Sequence, residues 1–111
     1  MTTDDRTLLI YTTFPSEAEA RHVGEHLVKT RLAACVNIFS GMSAIYEWEG
    51  RVETGGEVAM LIKTRSMHKA EVFETVAAMH PYSVPALLAI SPESVAETYS
   101  AWLMAQTERQ D

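Results

Sequence analysis

The segment from residue 35 to residue 65 constrains the fold most, because its pattern predicts one very long β-hairpin. From Ala44 onward the side chains alternate between two faces, and Glu49-Gly50 is a typical turn dipeptide. Fully extended, residues 35–49 would span roughly 50 Å at about 3.3 Å per residue. A compact domain of 111 residues has a radius of gyration of only about 13 Å. The hairpin must therefore bend or project past its own core.

Glycines predict where this hairpin departs from regular geometry. Gly41 predicts a kink in the outgoing strand, and Gly55-Gly56 predict a bulge in the return strand. The return strand ends at Arg65, and its segment "EVAMLIKT" is mostly apolar on both faces. Such a pattern is typical of a central strand in a sheet.

Two large rings, Tyr46 and Trp48, lie close to the tip of this hairpin. Aromatic rings of this size favour burial, and a projecting hairpin cannot bury them against its own core. We therefore expect the hairpin to pack on a neighbouring copy of the chain and to cover an edge strand there. The sequence predicts a homo-oligomer.

The first segment of the chain predicts a strand followed by a helix. Residues 7–14 are rich in β-branched and aromatic side chains, and Pro15 ends that strand. Ser16 with Glu19 forms a capping-box pattern that opens a helix over 16–31. The apolar face of that helix consists of Ala20, Val23 and Leu27.

The last segment predicts a helix, a strand and a further helix. Ser66 is placed to cap the second helix, which reaches His80 and stops at Pro81. Residues 84–91 predict the fourth strand, and Glu93–Thr107 a final helix. The apolar faces of the two helices consist of Val72, Phe73, Val76 and Ala77, and of Val95, Tyr99, Trp102 and Leu103. The order predicts one α+β domain over 1–111 with the ferredoxin-like split βαβ fold: a four-stranded antiparallel sheet, a long hairpin between its second and third strands, and an extra C-terminal helix.

Composition excludes several classes of function. The net charge is −6 and the Lys and Arg residues are scattered, which argues against binding to nucleic acid. The longest apolar runs are too short to cross a membrane. A single cysteine, Cys35, allows no disulfide within the chain, and the first residues carry aspartates rather than the positive charge of a secretory signal. We expect a cytoplasmic protein.

Two motifs identify a family. The run "AACVNIFSGMSAIYEWEGRVETGGEVAMLIKT", followed by "HPYSVP", resembles the CutA family of divalent-cation tolerance proteins over residues 8–103. The resemblance implies a ferredoxin-like homotrimer built by strand pairing, similar in architecture to the PII signalling proteins. It also implies a role in tolerance of divalent metal ions, copper above all, with binding of copper or another divalent ion in some members. No accepted enzymatic reaction comes with the family.

Residue by residue, the resemblance points to candidate metal ligands. His80 falls on the histidine of the H-P-Y motif, and Cys35 on the cysteine of A-C-V-N. Neutral imidazole suits copper or zinc, and a thiolate would add softness that favours Cu(I) or zinc. His80 can equally cap the second helix, and Cys35 can be an inert core thiol. Many members carry an acidic residue or an amide where Ser83 stands and a glutamate where Ala86 stands, so a charge near His80 would have to come from a neighbouring subunit.

A cleft between subunits is the second candidate site. Its predicted lining is Lys63, Tyr46, Trp48, Tyr82 and Glu57. In a PII-like signalling protein such a cleft would bind a small anion or metabolite, with Lys63 and the rings as contacts. Lys63 can instead pair with a glutamate across the sheet, and the rings can be interface packing. Glu57 is the last residue of an acidic stretch around the hairpin tip. These carboxylates can bind hard cations, or they can simply be solvated.

A third group lies on the first helix, where Glu19, His22 and His26 share one face. Histidines four residues apart can hold a divalent ion, and here they suggest an adventitious site on a solvated surface. The sequence does not predict an enzyme, because it contains no nucleophile elbow, phosphate loop or H-E-x-x-H motif. Cys35 with His80 would lack a third orienting residue. We therefore expect no enzymatic activity and no required cofactor, and the sequence names no protein partner.

Overall fold

A computed structural model describes residues 5–109. Its sheet has four antiparallel strands in the order β2-β3-β1-β4, which confirms the predicted ferredoxin-like arrangement. The central strand β1 pairs along its full length with the second half of β3, from Thr7 with Arg65 to Phe14 with Val58. The elements are β1 (Thr7–Phe14), α1 (Glu17–Lys29), β2 (Cys35–Trp48), β3 (Arg51–Arg65), α2 (Lys69–Met79), β4 (Leu88–Ile90) and α3 (Glu97–Gln106).

The core lies between one face of the sheet and the helices α1 and α2. Alternate residues of β1 and β3 point into it, as the period of two in a strand requires. The helix residues Ala20, Val23 and Leu27 are buried there as predicted, and Val72 and Val76 join them from α2. Ala77, predicted on the same apolar face, is exposed instead.

The β2–β3 hairpin projects from this body as expected. Its register shifts between Phe39 and Met42, where Gly41 takes a φ of 80°, so the kink predicted at this glycine is confirmed. Glu49 and Gly50 both have positive φ, 50° and 80°, the backbone of a two-residue hairpin turn. The molecule measures 50 × 27 × 25 Å, and its radius of gyration is 15.1 Å, above the roughly 13 Å of a compact domain of this length. We call residues 42–57 the arm.

The bulge predicted at Gly55-Gly56 is wrong. The two strands pair there without a shift, with Ala44 opposite Gly55 and Ser43 opposite Gly56. A Cβ on Gly55 would lie 3.6 Å from the Tyr46 hydroxyl oxygen, so the ring of Tyr46 covers this glycine from the neighbouring strand. Gly55 therefore leaves room for the Tyr46 ring and does not interrupt the pairing of the two strands.

Three element boundaries differ from the prediction. Ser66 does not cap α2, because its hydroxyl is bonded to Asp5 and to the Arg6 amide, and a short 3₁₀ turn over Ser66–His68 comes before the helix. The fourth strand is limited to Leu88–Ile90 instead of 84–91. The last helix begins at Glu97 instead of Glu93, because Ala96 is still non-helical with ψ at 134°. Ser16, in contrast, caps α1 as predicted by accepting the amide of Glu19 at 3.3 Å.

The extra helix α3 is fastened to the body by arginines that donate to its last carbonyls. Arg31 donates to the carbonyls of Ala105 at 2.9 Å and Glu108 at 2.8 Å. Arg65 donates to the carbonyl of Met104 and, at 2.9 Å, to the hydroxyl of Thr107. Cations at this end favour the helix dipole and satisfy carbonyls that have no partner within the helix.

Candidate functional site

His80 lies at the end of α2 with its ring inside the protein. The helix stops at Met79, and His80 turns to an extended backbone before Pro81. The ring nitrogen Nδ1 accepts the amide of Tyr82 at 3.0 Å, so Nε2 carries the proton and donates to the Thr13 carbonyl at 2.6 Å. Both nitrogens of a neutral imidazole are therefore engaged, and the ring ties the loop after α2 to β1.

The rings around His80 extend this buried contact toward the surface. Phe14 stacks on His80 with ring centroids 4.5 Å apart. The Tyr82 ring also packs against His80, tilted by 45° and with ring centroids 4.9 Å apart. Tyr82 is half exposed, and its hydroxyl donates to the Glu57 carboxylate at 3.5 Å. His80 thus positions Tyr82 against a glutamate of β3.

Several charged and polar groups act electrostatically on the Tyr82 phenol. Burial raises the pKa of the Tyr82 phenol, and the negative charge of Glu57 and its hydrogen bond raise it further. Glu19 at the start of α1 and Tyr46 of the arm add to the same rise in pKa. We call Glu19, Tyr46, Glu57, His80 and Tyr82 the Tyr82 cluster. It brings together four predicted site residues, and it adds Glu19, which the sequence assigned to a different site.

The position of Glu19 follows from the cap of α1. Its carboxylate accepts the hydroxyl of Ser16 at 2.9 Å, while its amide donates to the same hydroxyl oxygen. This holds the glutamate at the first turn of the helix. Within the same chain, Glu57 of β3 places a carboxylate against Tyr82, whose ring packs on His80.

Cys35 and Lys63 lie in a different part of the sheet. They are direct cross-strand partners, whereas the Thr13 that holds His80 pairs with Ala59. The offset from Lys63 to Ala59 along β3 amounts to roughly 13 Å at about 3.3 Å per residue. Cys35 and His80 therefore do not form one metal site within a single chain.

The immediate contacts of these two residues are modest. The half-buried thiol of Cys35 lies 3.8 Å from the side-chain nitrogen Nδ2 of Asn37 and 3.8 Å from the backbone carbonyl oxygen of Val36. The Lys63 ammonium lies 5.5 Å from the centre of the Tyr99 ring, within the range of a cation–π contact. The remaining predicted cleft residue, Trp48, lies at the hairpin tip opposite Arg51 and is 61% exposed.

Residues 5–109 do not supply a complete ligand set for a closed metal site, because no three His, Cys, Asp or Glu side chains among them lie close enough together to hold an ion. His22 and His26 are exposed on α1, and the Glu19 carboxylate is bonded to Ser16. The same residues contain no helix with the length and apolar composition needed to span a membrane.

Comparison with known proteins decides the family. The family model described as "CutA1 divalent ion tolerance protein" matches residues 8–106. The chain belongs to the CutA1 family. It is 39% identical over 102 residues to the divalent-cation tolerance protein CutA of Pyrococcus horikoshii, covering 92% of this chain and 99% of that relative. It is 43% identical over 94 residues to the CutA of Archaeoglobus fulgidus, covering 85% of this chain and 91% of the relative.

Solved CutA structures agree with the fold. The CutA1 of Ehrlichia chaffeensis superimposes with a TM-score of 0.92 at 29% identity, covering 96% of this chain and all of that one. The CutA of Archaeoglobus fulgidus, described as periplasmic, gives a TM-score of 0.88 at 40% identity, covering 92% and 99%. The CutA1 family is named for tolerance of divalent ions and not for a reaction.

Proposed function

We propose that this CutA1 protein is a non-enzymatic homotrimer that serves tolerance of divalent cations, copper foremost, by binding copper or another divalent ion. The observation that carries the proposal is the Glu57 carboxylate, which accepts the Tyr82 hydroxyl at 3.5 Å, while the charges of Glu57 and Glu19 both raise the pKa of Tyr82. The negative potential that keeps a proton on Tyr82 also attracts a cation. The protein requires no resident cofactor in this account.

Glu57 is the proposed first ligand in the Tyr82 cluster. Its carboxylate faces Tyr82 at the edge of the cluster, and carboxylate oxygens suit divalent cations. Since three metal-ligating side chains do not meet within residues 5–109, water and a neighbouring copy would complete the coordination. This keeps the ion exchangeable, as a protein that responds to metal concentration requires.

His80 and Cys35 remain separate candidate ligands in this proposal. Coordination by the Nδ1 of His80 would first require the Tyr82 amide to leave that nitrogen, because Nε2 holds the proton shared with Thr13. Copper binding at His80 would therefore be coupled to movement of the loop that carries Tyr82. Cys35 would act at its own position in the sheet, beside Lys63.

The homotrimer is proposed from apolar side chains that one chain leaves uncovered. Ile45 and Val52 of the arm are 74% and 76% exposed, and Leu88 and Ile90 of the edge strand β4 are 52% and 46% exposed. Exposed apolar residues along a strand edge favour pairing with another chain. The arm and β4 would meet across copies, and the number three rests on the family resemblance.

Isothermal titration of Cu²⁺ into the full chain tests the cation site. We expect Glu57→Gln to weaken binding at least tenfold, because it removes the charge and one ligand oxygen from the cluster. Glu74→Gln, which removes the same charge from the exposed surface of α2, should leave the affinity unchanged. His80→Ala, run in parallel, measures whether the imidazole contributes. Equal affinities in the wild type and Glu57→Gln would remove the Tyr82 cluster from the proposal.

A PII-like role in sensing a small ligand is the second candidate. A groove of about 500 Å³ lies between α1, the start of β2 and α3, and its lining includes Cys35 and Trp102, the cations Arg21 and Lys29 and one anion, Glu25. Lys63, the cross-strand partner of Cys35, lies close by. Such a groove suits an anion with an apolar part. A thermal-shift screen with anionic metabolites favours this role if one of them raises Tm in the wild type and not in Lys63→Gln.

The cytoplasm is the proposed location. The lone cysteine, Cys35, supports it, because proteins of oxidising compartments more often carry paired cysteines. Location varies among the relatives, since the Arabidopsis thaliana protein is described as chloroplastic and the Archaeoglobus fulgidus structure as periplasmic. Cell fractionation followed by detection with an antibody tests the assignment directly.

A further inference from the structure

The four histidines of the chain fall into two pairs according to what their rings contact. His80 uses both ring nitrogens, and His68 donates from Nε2 to the Thr107 carbonyl at 2.8 Å. The rings of His22 and His26 are exposed and make no hydrogen bond to any residue from 5 to 109. Two of the histidines thus support the fold, and the other two have nitrogens available to a ligand.

The two available histidines are held in fixed relation by α1. The helix spans Glu17–Lys29 and is capped at both ends, by Ser16 and by Thr30. Its opposite face is clamped to the sheet, where Gly24 lies so close to Val36 that an added Cβ would come within 2.8 Å of a methyl carbon. A helix fixed this tightly presents its outer side chains as a rigid platform, which lowers the entropy lost when two of them bind one ion.

The spacing of the two imidazoles fits chelation. Residues four apart on a helix have Cβ atoms about 5–6 Å apart on the same face. Paired histidines at this spacing bind zinc in metalloprotease helices. Glu25 is exposed between them and adds negative charge nearby, while the neighbouring cation Arg21 is paired with Glu17 at 2.8 Å.

We infer that His22 and His26 form a surface chelate for a borderline divalent cation, which binds Cu²⁺ more tightly than Zn²⁺ or Ni²⁺. Imidazole ligands suit these three ions, and copper stands highest in the general affinity order. Residues 5–109 offer no third ligating side chain within reach, so water fills the remaining positions and the ion exchanges readily. This site lies on α1, and it stands or falls independently of the function proposed for the Tyr82 cluster.

Titration of Cu²⁺ into the full chain with glycine as competitor, combined with electron paramagnetic resonance, tests the chelate. The wild type should bind one ion per chain at this site with hyperfine coupling from two imidazole nitrogens. His22→Gln and His26→Gln should each weaken this binding phase about 100-fold, since a chelate gains that much over a single ligand. Both positions are exposed, so the variants should fold normally by circular dichroism.

A register control separates chelation from the mere number of histidines. The double variant His26→Gln with Lys29→His keeps two histidines on α1 but places them seven residues, about 10.5 Å, apart along the axis. It should not restore the tight phase. Wild-type affinity in this control, or unchanged affinity in either single variant, would overturn the inference. Glu57→Gln should leave this phase intact, so failure of the α1 site and failure of the Tyr82 cluster give different results.

Discussion

The body of the sheet and the arm differ in how far their apolar side chains are buried. In the body, Ile10 and Phe14 of β1 and Ile62 of β3 are completely buried under α1 and α2. In the arm, Ile45 and Val52 are about three-quarters exposed although the strands pair regularly. Regular backbone pairing alone therefore does not complete a fold. The body buries its apolar side chains within one chain, whereas those of the arm are exposed and are the ones that the proposed trimer would cover.

The largest expected effect is on the body. Phe14→Ala should lower the free energy of unfolding by about 3–5 kcal/mol, because it empties a fully buried aromatic site and removes the ring stacked on His80. Val52→Ala should change it by less than about 0.5 kcal/mol in dilute, dissociated protein. Urea denaturation at several protein concentrations measures both. Similar losses for the two variants at high dilution would contradict the distinction between body and arm.

Assembly is the next test of the arm. Val52→Glu places a charge on an apolar position that the proposed trimer covers, so it should dissociate the protein into chains of 12.4 kDa. Light scattering coupled to size exclusion measures the mass. Ala78→Glu adds the same charge on the exposed surface of α2 and should leave the assembly intact. A trimer that persists in Val52→Glu would show that the arm is not in the interface.

A smaller effect is expected where α1 approaches the sheet. Gly24→Ala should destabilise the protein by about 1 kcal/mol, since an overpacking cost of about 1–3 kcal/mol is partly offset by the better helix propensity of alanine. The clash partner is the Val36 side chain at 2.8 Å. Adding Val36→Ala to this variant should therefore cost less than the sum of the two single changes. Thermal unfolding of the wild type, the two single variants and the double variant measures the coupling between residues 24 and 36. Additive effects would mean that the strain does not arise from contact with the Val36 side chain.

The smallest effect concerns the phenol of Tyr82. Because the charge of Glu57 disfavours the phenolate, Glu57→Gln should lower the pKa of Tyr82 toward its ordinary value of 10.0. A phenol pKa raised in the folded state makes stability fall as pH rises above about 10, where the unfolded chain loses its proton first. This fall should be weaker in Glu57→Gln. Ultraviolet titration with Tyr82→Phe as the blank measures the pKa, and an unchanged value would mean that Glu57 does not act on Tyr82.

Local signals in the sequence predicted the order of elements well. Ser16 capped its helix, Gly41 marked the kink, and Glu49-Gly50 formed the turn, because each depends on backbone geometry within a few residues. The length of the hairpin sufficed to predict that it projects, since strand rise and domain size are nearly constant.

Features that depend on distant residues were missed. Gly55 looked like a bulge because the ring that covers it, Tyr46, comes from another strand. Ser66 looked like a helix cap because its partner Asp5 lies some sixty positions away along the chain. Glu19 was placed with two histidines by helical spacing, whereas in the fold its carboxylate is bonded to Ser16 and its charge raises the pKa of Tyr82. The histidine and tyrosine of "HPYSVP" were identified by motif and Glu57 was grouped with Tyr82 in the predicted cleft, but the contact of Tyr82 with both His80 and Glu57 was visible only in three dimensions.

Anomalous diffraction from crystals grown with Cu²⁺, collected at the copper edge, tests the central claim that the Tyr82 cluster attracts a divalent cation. We expect a copper peak at about 2.0–2.2 Å from a carboxylate oxygen of Glu57, in addition to any peak on α1, and we expect this peak to be lost in crystals of Glu57→Gln. Copper peaks confined to other parts of the molecule, with the Glu57 carboxylate still bonded to Tyr82, would contradict it.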